Sequence, residues 1–187
     1  EQVASEVGLT PGRTLHQMRR SLPLSVADAA DAVAVRTFVK GADEREWLEL
    51  NNRAFAHHPE QGGWDESTLS ARMAQPWFEP EGFIVHEIDG SMAGFCWTKV
   101  HRDTDPVLGE IYVIAVDPAH AGHGLGRSMV VSGLVNLAER GVTTAMLFVD
   151  ADNDAAMRLY GNLGVRIHRT DRAFVGDVAA NRNGGTT

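Results

Sequence analysis

The sequence predicts a mixed α/β fold, because helical and strand patterns alternate along most of the chain. From about Arg36 onward, segments with apolar residues at helical spacing alternate with short apolar strands, without a long break. Two of these strands are separated by Asp89-Gly90, a strong signal for a tight hairpin. Glycines at positions 122, 124 and 126 separate a third apolar strand from an apolar helix.

Composition narrows the class of protein. The chain has 187 residues, which corresponds to one domain with a few dozen residues left over. Its 17 Lys and Arg against 25 Asp and Glu give a net charge of −8, which argues against general binding to nucleic acid or membrane surfaces. The single cysteine, Cys96, excludes an internal disulfide framework and a multi-cysteine zinc site. We expect a soluble, cytoplasmic protein.

Capping and turn residues set the expected bounds of the elements. Asp65 is expected to cap a helix, and Gly141 and Gly164 to end two others. The predicted elements are helices at 43–55, 65–75 and 153–163, a further helix between the glycine loop and Gly141, a loop at 57–64, hairpin strands within 82–100, strands at 108–116 and 143–149, and one or two strands at 165–175. Residues 179–187 are expected to be a disordered tail.

The first 35 residues do not fit this alternation. Residues 7–20 have a glycine, a turn and an Arg-rich strand, and residues 163–174 have a similar layout. This similarity suggests an internal repeat. Residues 21–35, which are rich in Ala and Asp, resemble a linker. The alternative is an N-terminal extension that packs on its own domain.

The glycine loop is the most informative segment for function. Gly122, Gly124 and Gly126 let the backbone approach a ligand closely, and a helix begins directly after them. Backbone N–H groups and the helix dipole would form an anion site suited to a pyrophosphate. The spacing excludes two familiar loops: no lysine follows the glycines, and Arg127 and Met129 stand where a dinucleotide fingerprint needs glycine. A glycine-rich turn without a ligand remains the alternative.

Two segments together resemble the GNAT superfamily of N-acetyltransferases. Val116-Asp-Pro-x-x-x-Gly-x-Gly-x-Gly126 before an apolar helix resembles its motif A, and residues 153–164 resemble its motif B. The resemblance covers roughly residues 36–176. One departure is Ala121, where the superfamily usually has Arg or Gln. That difference concerns one phosphate contact and leaves the backbone loop intact.

The resemblance implies the GNAT fold, a central, mostly antiparallel twisted sheet that is flanked by helices and splayed at an acetyl-CoA site. Backbone amides of the third strand would hold the oxyanion, and amides of the loop would hold the pyrophosphate. The residues implied in acetyl-CoA binding are Ile114, Ala115, Val116, Ala121, Gly122, His123, Gly124, Leu125, Gly126, Arg127, Asn153, Ala155, Ala156 and Arg158.

The resemblance also implies direct acetyl transfer to an amine. Glu110 would be the general base, and Tyr160 the general acid at the leaving thiolate. The alternatives are a solvent-facing glutamate at a strand end and a core tyrosine, and Tyr112 is a weaker rival for the acid.

Within the superfamily, residues 52–64, 94–101 and 108–113 are most similar to tandem-domain enzymes that acetylate the cysteinyl amine of a cysteinyl-glucosaminyl-inositol. The resemblance implies a missing N-terminal GNAT domain, with its terminal strands at 1–22, a linker at 23–35 and the acetyltransferase domain at 36–178. The residues implied in acceptor binding are Glu60, Trp97 (as a wall for the sugar), Lys99 and Phe148. Phe148 replaces an expected tyrosine, and Lys99 could instead be a solvated strand-end charge.

No metal is expected. Adjacent His57 and His58 point in different directions on most backbones, and no third ligand is clustered with them. Cys96 is expected to be a buried strand residue and not a nucleophile. Two other functions stay open: acetyl transfer to another amine, such as a protein N-terminus, and a non-catalytic acetyl-CoA-binding module.

Overall fold

The alternating apolar segments fold into one seven-stranded sheet with helices on both faces. The computed structural model describes residues 2–58 and 61–176. Within them the strands are β1 (Thr10–Ser21), β2 (Arg36–Thr37), β3 (Phe83–Ile88), β4 (Ser91–His101), β5 (Leu108–Val116), β6 (Thr144–Asp150) and β7 (Arg166–Val175). The helices are α1 (Gln2–Glu6), α2 (Val26–Ala29), α3 (Glu44–Ala54), α4 (Glu66–Met73), α5 (Leu125–Glu139) and α6 (Asp154–Asn162), with 3₁₀ turns at Pro80–Gly82 and Pro118–His120.

Local signals in the sequence account for most of these bounds. The β3–β4 hairpin turns at Asp89 and Gly90, which both have positive φ, 53° and 79°. Asp65 accepts a hydrogen bond from the Thr68 amide at 2.8 Å and caps α4. Gly141, with φ 79°, follows the end of α5. These three predictions are confirmed.

The strand order is β2-β3-β4-β5-β6-β1-β7. The ladders are antiparallel except between β5 and β6, which run parallel and are connected through α5. This mixed, mostly antiparallel sheet confirms the predicted fold class. Apolar residues of α5 and α6 form one core on one face, and an aromatic core around Trp47 and Trp97 packs with α3 and α4 on the other.

The N-terminal segment is part of this sheet. β1 lies between β6 and β7 and is antiparallel to both. The predicted linker contains α2, and the Val33 amide donates a hydrogen bond to Ser132 Oγ of α5 at 3.1 Å. The sheet therefore extends across the predicted boundary at residue 35. The similar segments at 7–20 and 163–174 become neighbouring strands. The predicted tail at 179–187 lies outside the described residues.

We predict that Gly133→Ala destabilises the fold. Gly133 lies on the buried face of α5, and a Cβ there would approach the buried Cys96 Sγ to 2.5 Å. The chain must shift to relieve this contact, which typically costs about 1–3 kcal/mol. The midpoint of urea unfolding measures the effect.

Gly161→Ala in α6 is the matched control, because its Cβ would meet nothing within 4 Å. Alanine favours a helix over glycine by up to about 1 kcal/mol, so this variant should be neutral or stabilised. Equal midpoints for the two variants would contradict the packing of α5 on β4.

Candidate active site

A wedge-shaped opening in the sheet separates two neighbouring strands. The parallel ladder joins residues 108–111 of β5 to 144–147 of β6 and ends at the pair Ile111 and Leu147. Both strands continue past that pair, β5 to Val116 and β6 to Asp150, without pairing to each other. The resemblance implied strands splayed in this way. The opening leaves backbone groups along the outer half of β5 available to a ligand.

A β-bulge adjusts β5 at the start of the opening. Trp97 of β4 pairs with Val113, but the next residue, Thr98, pairs with Ile111, so Tyr112 has no partner across the ladder. Bulges bend a strand and change the direction of its side chains. Lys99 and Glu110, just before the bulge, are directly opposite each other. Facing residues of an antiparallel pair project from the same side of the sheet.

A cavity of about 480 Å³ fills the opening between the strands. Glu110 and Tyr112 line it from β5, and Tyr160 lines it from α6. The structure thus brings the two predicted catalytic residues to the walls of one cavity. Its remaining lining residues are Arg13, Leu15, Phe55, His58, Gln61, Ile111, Val113, Ile114, Leu147, Phe148, Val149, Asp150, Asn153 and Ala156.

Glu110 is held by a histidine that the sequence analysis did not single out. His101 Nε2 lies 2.7 Å from Glu110 Oε2, and 12% of the Glu110 side chain is exposed. A neutral imidazole with its proton on Nε2 donates to the carboxylate and leaves the second carboxylate oxygen available. His101 lies two residues after Lys99 on β4, so strand alternation would have placed it near Glu110.

Tyr160 is buried beside the cavity, with 9% of its surface exposed. Burial, with a smaller contribution from the Cys96 thiol when that group is ionised, raises the pKa of Tyr160 to about 12. Asn153 positions the helix that carries Tyr160, because its side-chain oxygen accepts a hydrogen bond from the Ala156 amide at 3.1 Å. Tyr160 therefore keeps its proton at neutral pH and is a hydrogen-bond donor.

The glycine loop has the backbone conformation that its sequence predicts. Gly122 and Gly124 both have φ of 83°, which favours glycine, and a Cβ at either position would meet nothing within 4 Å. Gly124 is the N-cap of α5, and the first turn of that helix contains no acidic residue. The loop and helix start therefore present backbone N–H groups beside open space, an arrangement suited to an anion.

Asp117 links this loop to the rest of the domain. Its carboxylate accepts hydrogen bonds from the Ala119 amide, at 2.9 Å, and from Arg53 of α3, at 3.2 Å to Nε. Burial opposes ionisation of Asp117, but these bonds outweigh it and lower its pKa. The Asp117 amide donates to the Ala93 carbonyl of β4 at 2.9 Å. Because backbone groups alternate along a strand, the amides of Ile114 and Val116 then face the opening.

Arg127 does not extend into the loop as a free charge. Its Nε donates to Asp31 Oδ2 at 2.8 Å, which ties α5 to the segment after α2. His120 and His123 line a separate cavity with Val33 and Ile88. Ala155 and Arg158, on α6, are exposed. With Arg127 paired, the groups of the loop that stay available to an anion are mainly its backbone N–H groups.

The structure corrects one predicted acceptor residue. Trp97 is fully buried, at 0% exposure, and stacks on Phe83 with ring centroids 4.3 Å apart. Trp97 therefore cannot present a face to a sugar. Half-buried Trp77 lies nearer the opening: its ring centroid is 4.8 Å from Lys99 Nζ and 5.0 Å from the ring of Tyr112. Trp77 stands in no motif, and its contact with Tyr112 forms only in the folded chain, so the sequence alone does not predict it.

Two further predicted acceptor residues, Phe148 and Glu60, have different outcomes. Phe148 lines the cavity and is 38% exposed. Glu60 lies outside the described residues. Between residues 2 and 58 and between 61 and 176, no group of three or more His, Cys, Asp or Glu residues is arranged to hold a metal ion. Helices in the same part of the chain are all too short or too polar to cross a membrane.

Comparison with known proteins identifies the class to which this fold and site belong. Residues 45–165 match the Acetyltransferase (GNAT) family. The chain belongs to this family. The solved structure of a GCN5-related N-acetyltransferase from Sphaerobacter thermophilus superposes with a TM-score of 0.72, at 22% identity, over 92% of this chain and 54% of that chain. At that identity it demonstrates the common fold alone.

More similar relatives bear a specific name. A mycothiol acetyltransferase of Thermobispora bispora is 47% identical in an alignment of 168 residues that covers 87% of this chain and 57% of the relative. A mycothiol acetyltransferase of Streptomyces avermitilis is 48% identical in an alignment of 177 residues that covers 92% of this chain and 56% of the relative. The chain therefore spans little more than half the length of these relatives.

We predict that Tyr160 titrates well above the pKa of a free tyrosine. Burial raises the pKa of Tyr160 to about 12, whereas a free tyrosine titrates near 10. The chain has two tyrosines, so phenolate absorbance in Tyr112→Phe reports Tyr160 alone. Its transition should be centred near 12. Circular dichroism at each pH confirms that the fold persists. A transition near 10 in folded protein would contradict the burial of Tyr160.

Proposed function

We propose that this chain is the acetyltransferase domain of a mycothiol acetyltransferase. It transfers the acetyl group of acetyl-CoA to the cysteinyl amine of cysteinyl-glucosaminyl-inositol, and the products are mycothiol and CoA. The main observation is that Glu110, with its His101 partner, and Tyr160 line one cavity at the wedge between β5 and β6. The relatives' name supports the acceptor. We expect the reaction in the cytoplasm, which supplies acetyl-CoA.

The residues along the opening fit acetyl-CoA. Amides of residues 121–127 suit the pyrophosphate, because Gly122 and Gly124 leave space beside them and no carboxylate lies in the first turn of α5. The amides of Ile114 and Val116 suit the oxyanion and pantetheine oxygens, with Ala115 between them. Asn153, Ala155, Ala156 and Arg158 border the same side at the start of α6. Acetyl-CoA supplies an activated acetyl thioester, so the protein must position an amine and manage two protons.

Glu110 acts as the general base. An α-amino group titrates near 8, so much of the acceptor is protonated at neutral pH and must lose a proton before it attacks. Glu110 accepts that proton directly or through a water and releases it to solvent. It then accepts the second proton, which the nitrogen loses as the tetrahedral intermediate collapses to the amide. His101 donates to one carboxylate oxygen and so orients the other toward the cavity. The pair is mostly buried, at 21% and 12% side-chain exposure, so bulk solvent screens it little.

Tyr160, predicted as the general acid, acts as a hydrogen-bond donor at the leaving sulfur. A thiol titrates near 8.5, and the pKa of Tyr160 is about 12. Full proton transfer from the phenol to the thiolate is therefore uphill. Tyr160 instead stabilises the thiolate by donating a hydrogen bond from a site of low polarity, where such a bond is strong. The final proton then comes from solvent after the products separate.

The acceptor lies against the β4–β5 side of the opening. Lys99 is opposite Glu110 in the β4–β5 ladder. The ring of Trp77 lies beside Lys99 and contacts the ring of Tyr112. Aromatic faces suit the C–H surfaces of a sugar, and a lysine donates to hydroxyl groups. We propose that Trp77 takes the part predicted for Trp97. Phe148 borders the acceptor as an apolar wall, and Glu60 stays a prediction.

We also propose that residues 1–22 derive from the terminal strands of an upstream GNAT domain in the complete protein. The relatives are nearly twice as long as the matched region. The Arg-rich layout of β1 is similar to that of the segment that forms β7, which is expected if both are terminal strands of related domains. In that case β1 contributes to this sheet although it belongs by descent to the domain before it.

The proposed function is tested by incubating the chain with acetyl-CoA and each of several amines. The amines are cysteinyl-glucosaminyl-inositol, cysteine amide, glucosaminyl-inositol and a peptide with a free N-terminus. Because the first two carry a thiol, mass spectrometry of the product replaces a thiol-release assay, and titration of the remaining thiol distinguishes N- from S-acetylation. N-acetylation that strongly prefers the first amine supports the proposal. Preference for the peptide supports the second function, and acetyl-CoA binding without turnover supports a binding module.

We predict that Glu110→Gln lowers kcat/KM by about 10²-fold or more, because the amide cannot take a proton from the amine. Gln has nearly the same shape and can still accept from His101, so acetyl-CoA binding and stability should be unchanged. Stopped-flow or coupled initial rates measure kcat/KM. Glu49→Gln is the matched control, because Glu49 is an exposed glutamate on α3. A wild-type rate in Glu110→Gln would remove Glu110 from the role of base.

We predict that Tyr160→Phe lowers kcat by about 10- to 100-fold, because the leaving sulfur loses one hydrogen-bond donor. The ring still fills its buried site, so acetyl-CoA affinity measured by calorimetry should stay near that of wild type. Tyr112→Phe tests the rival tyrosine and should affect the KM of the acceptor more than kcat. If Tyr112→Phe lost kcat and Tyr160→Phe kept it, the two assignments would be exchanged.

A further inference from the structure

The outer half of β6 depends on β1 for its place in the sheet. Past Leu147, β6 has no ladder with β5. On its other side, Leu15 pairs with Asp150 and Gln17 with Phe148. Within the described residues, β1 is therefore the strand that holds the far wall of the opening. The distance between β5 and the end of β6 therefore depends on the pairing of β6 with β1.

Two further contacts secure the point where β6 ends. The Ala151 amide donates to the Thr14 carbonyl at 2.9 Å. The Arg13 guanidinium donates to both carboxylate oxygens of Asp150, with Nη2 3.0 Å from Oδ2 and Nε bonded to Oδ1. Such a bidentate pair restrains orientation as well as distance. Arg13 and Asp150 also both line the cavity.

The same carboxyl-terminal end of β6 sets the start of the helix that bears Tyr160. The Asn153 amide donates to the Asp150 carbonyl at 3.0 Å, and Asn153 is the N-cap of α6. Tyr160 lies two turns further along α6. A displacement of Asp150 therefore moves the N-terminus of α6, and with it Tyr160 relative to Glu110.

We propose that Arg13 is a positioning residue for the active site: its bond to Asp150 fixes the end of β6 and the start of α6, and thus the distance across the opening from Glu110 to Tyr160. The effect of Arg13 on turnover rests on the proposed function. Its effect on the position of β6 and α6 can be measured without substrate. It also means that the site includes a residue from the segment that precedes the predicted domain.

Electrostatics keep this pair formed at neutral pH. The hydrogen bond from Arg13 lowers the pKa of Asp150, and it outweighs burial, which acts in the opposite direction. The positive charge of Arg13 and that of a protonated His58 lower it further. The side chains are 40% and 25% exposed, and an ion pair so accessible contributes little to global stability. Removing it should therefore disturb the local geometry without unfolding the protein.

The test compares Arg13→Ala, Arg13→Lys and Asp150→Asn with Arg169→Ala. Arg169 pairs with Asp171 on β7, where the two side chains are 59% and 50% exposed, so its loss is a matched control. Hydrogen exchange without substrate should show faster exchange of the α6 amides in Arg13→Ala and Asp150→Asn, and none of this change in Arg169→Ala. Arg13→Lys should be intermediate, because lysine keeps the charge but not the bidentate geometry.

Kinetics supply the second measurement. Arg13→Ala should lower kcat by roughly 10-fold or more through misplacement of Tyr160, with little change in the KM of the acceptor. The exchanged pair Arg13→Asp with Asp150→Arg should recover part of the loss. Unchanged exchange in α6, or a rise in the acceptor KM with kcat intact, would overturn the proposal, since the latter means that Arg13 contacts the acceptor. If the wild-type chain transfers no acetyl group but Arg13→Ala still speeds hydrogen exchange in α6, the proposed function is refuted and the positioning role of Arg13 stands.

Discussion

The separation of β5 from β6 is the constraint on which the rest of the site depends. Two parallel strands that stayed paired to their ends would satisfy each other's backbone groups and leave no space between them. Here the ladder ends at Ile111 and Leu147, so the amides of Ile114 and Val116 face an opening. Unpaired backbone groups at a buried position are costly unless a ligand or water satisfies them. The opening therefore requires support from outside, which α5, α6 and β1 supply, and it creates the surface on which an acyl thioester can lie in an extended conformation.

Much of the fold could be predicted from the sequence, because its signals are local. The hairpin at Asp89-Gly90, the caps at Asp65 and Asn153 and the glycine loop each involve residues within a few positions of one another. The placement of β1 between β6 and β7 has no such signal, because strand order depends on contacts between residues more than a hundred positions apart. The roles proposed for Glu110 and Tyr160 come from the resemblance to family motifs. The place of His101 beside Glu110 could be predicted from strand alternation. The burial of Trp97 and the contact of Trp77 with Lys99 depend on tertiary packing and have no local signal.

The acidic composition of the chain is compatible with a polyanionic cosubstrate, because the proposed phosphate site consists of backbone N–H groups and does not need a positively charged side chain. The net charge is −8, and Arg127, the cation nearest the loop in sequence, is paired with Asp31. The groups that are left to attract an anion are the backbone N–H groups at the start of α5, a 15-residue helix whose first turn lacks carboxylates. Asp117 is the one acid at the base of the loop, and Arg53 and the Ala119 amide neutralise it. The local potential is therefore set by these few groups, although the molecule as a whole repels anions.

Because β1 is a strand of the sheet, the structural domain begins earlier in the chain than the predicted boundary at residue 35. Residues 36–178 alone would leave β6 without a neighbour along its outer half on either side, and would separate β7 from the sheet, because β1 joins the two. An unpaired strand at the wall of an active site would be free to collapse onto β5 and close the opening, or to pair with another chain. The predicted boundary at residue 35 lies where the composition of the chain changes. The hydrogen bonding of the sheet, however, already includes the chain from residue 10, where β1 begins. The segment predicted to belong to a preceding domain is thus, in physical terms, a strand of this sheet, and it lines the cavity between β5 and β6 through Arg13 and Leu15.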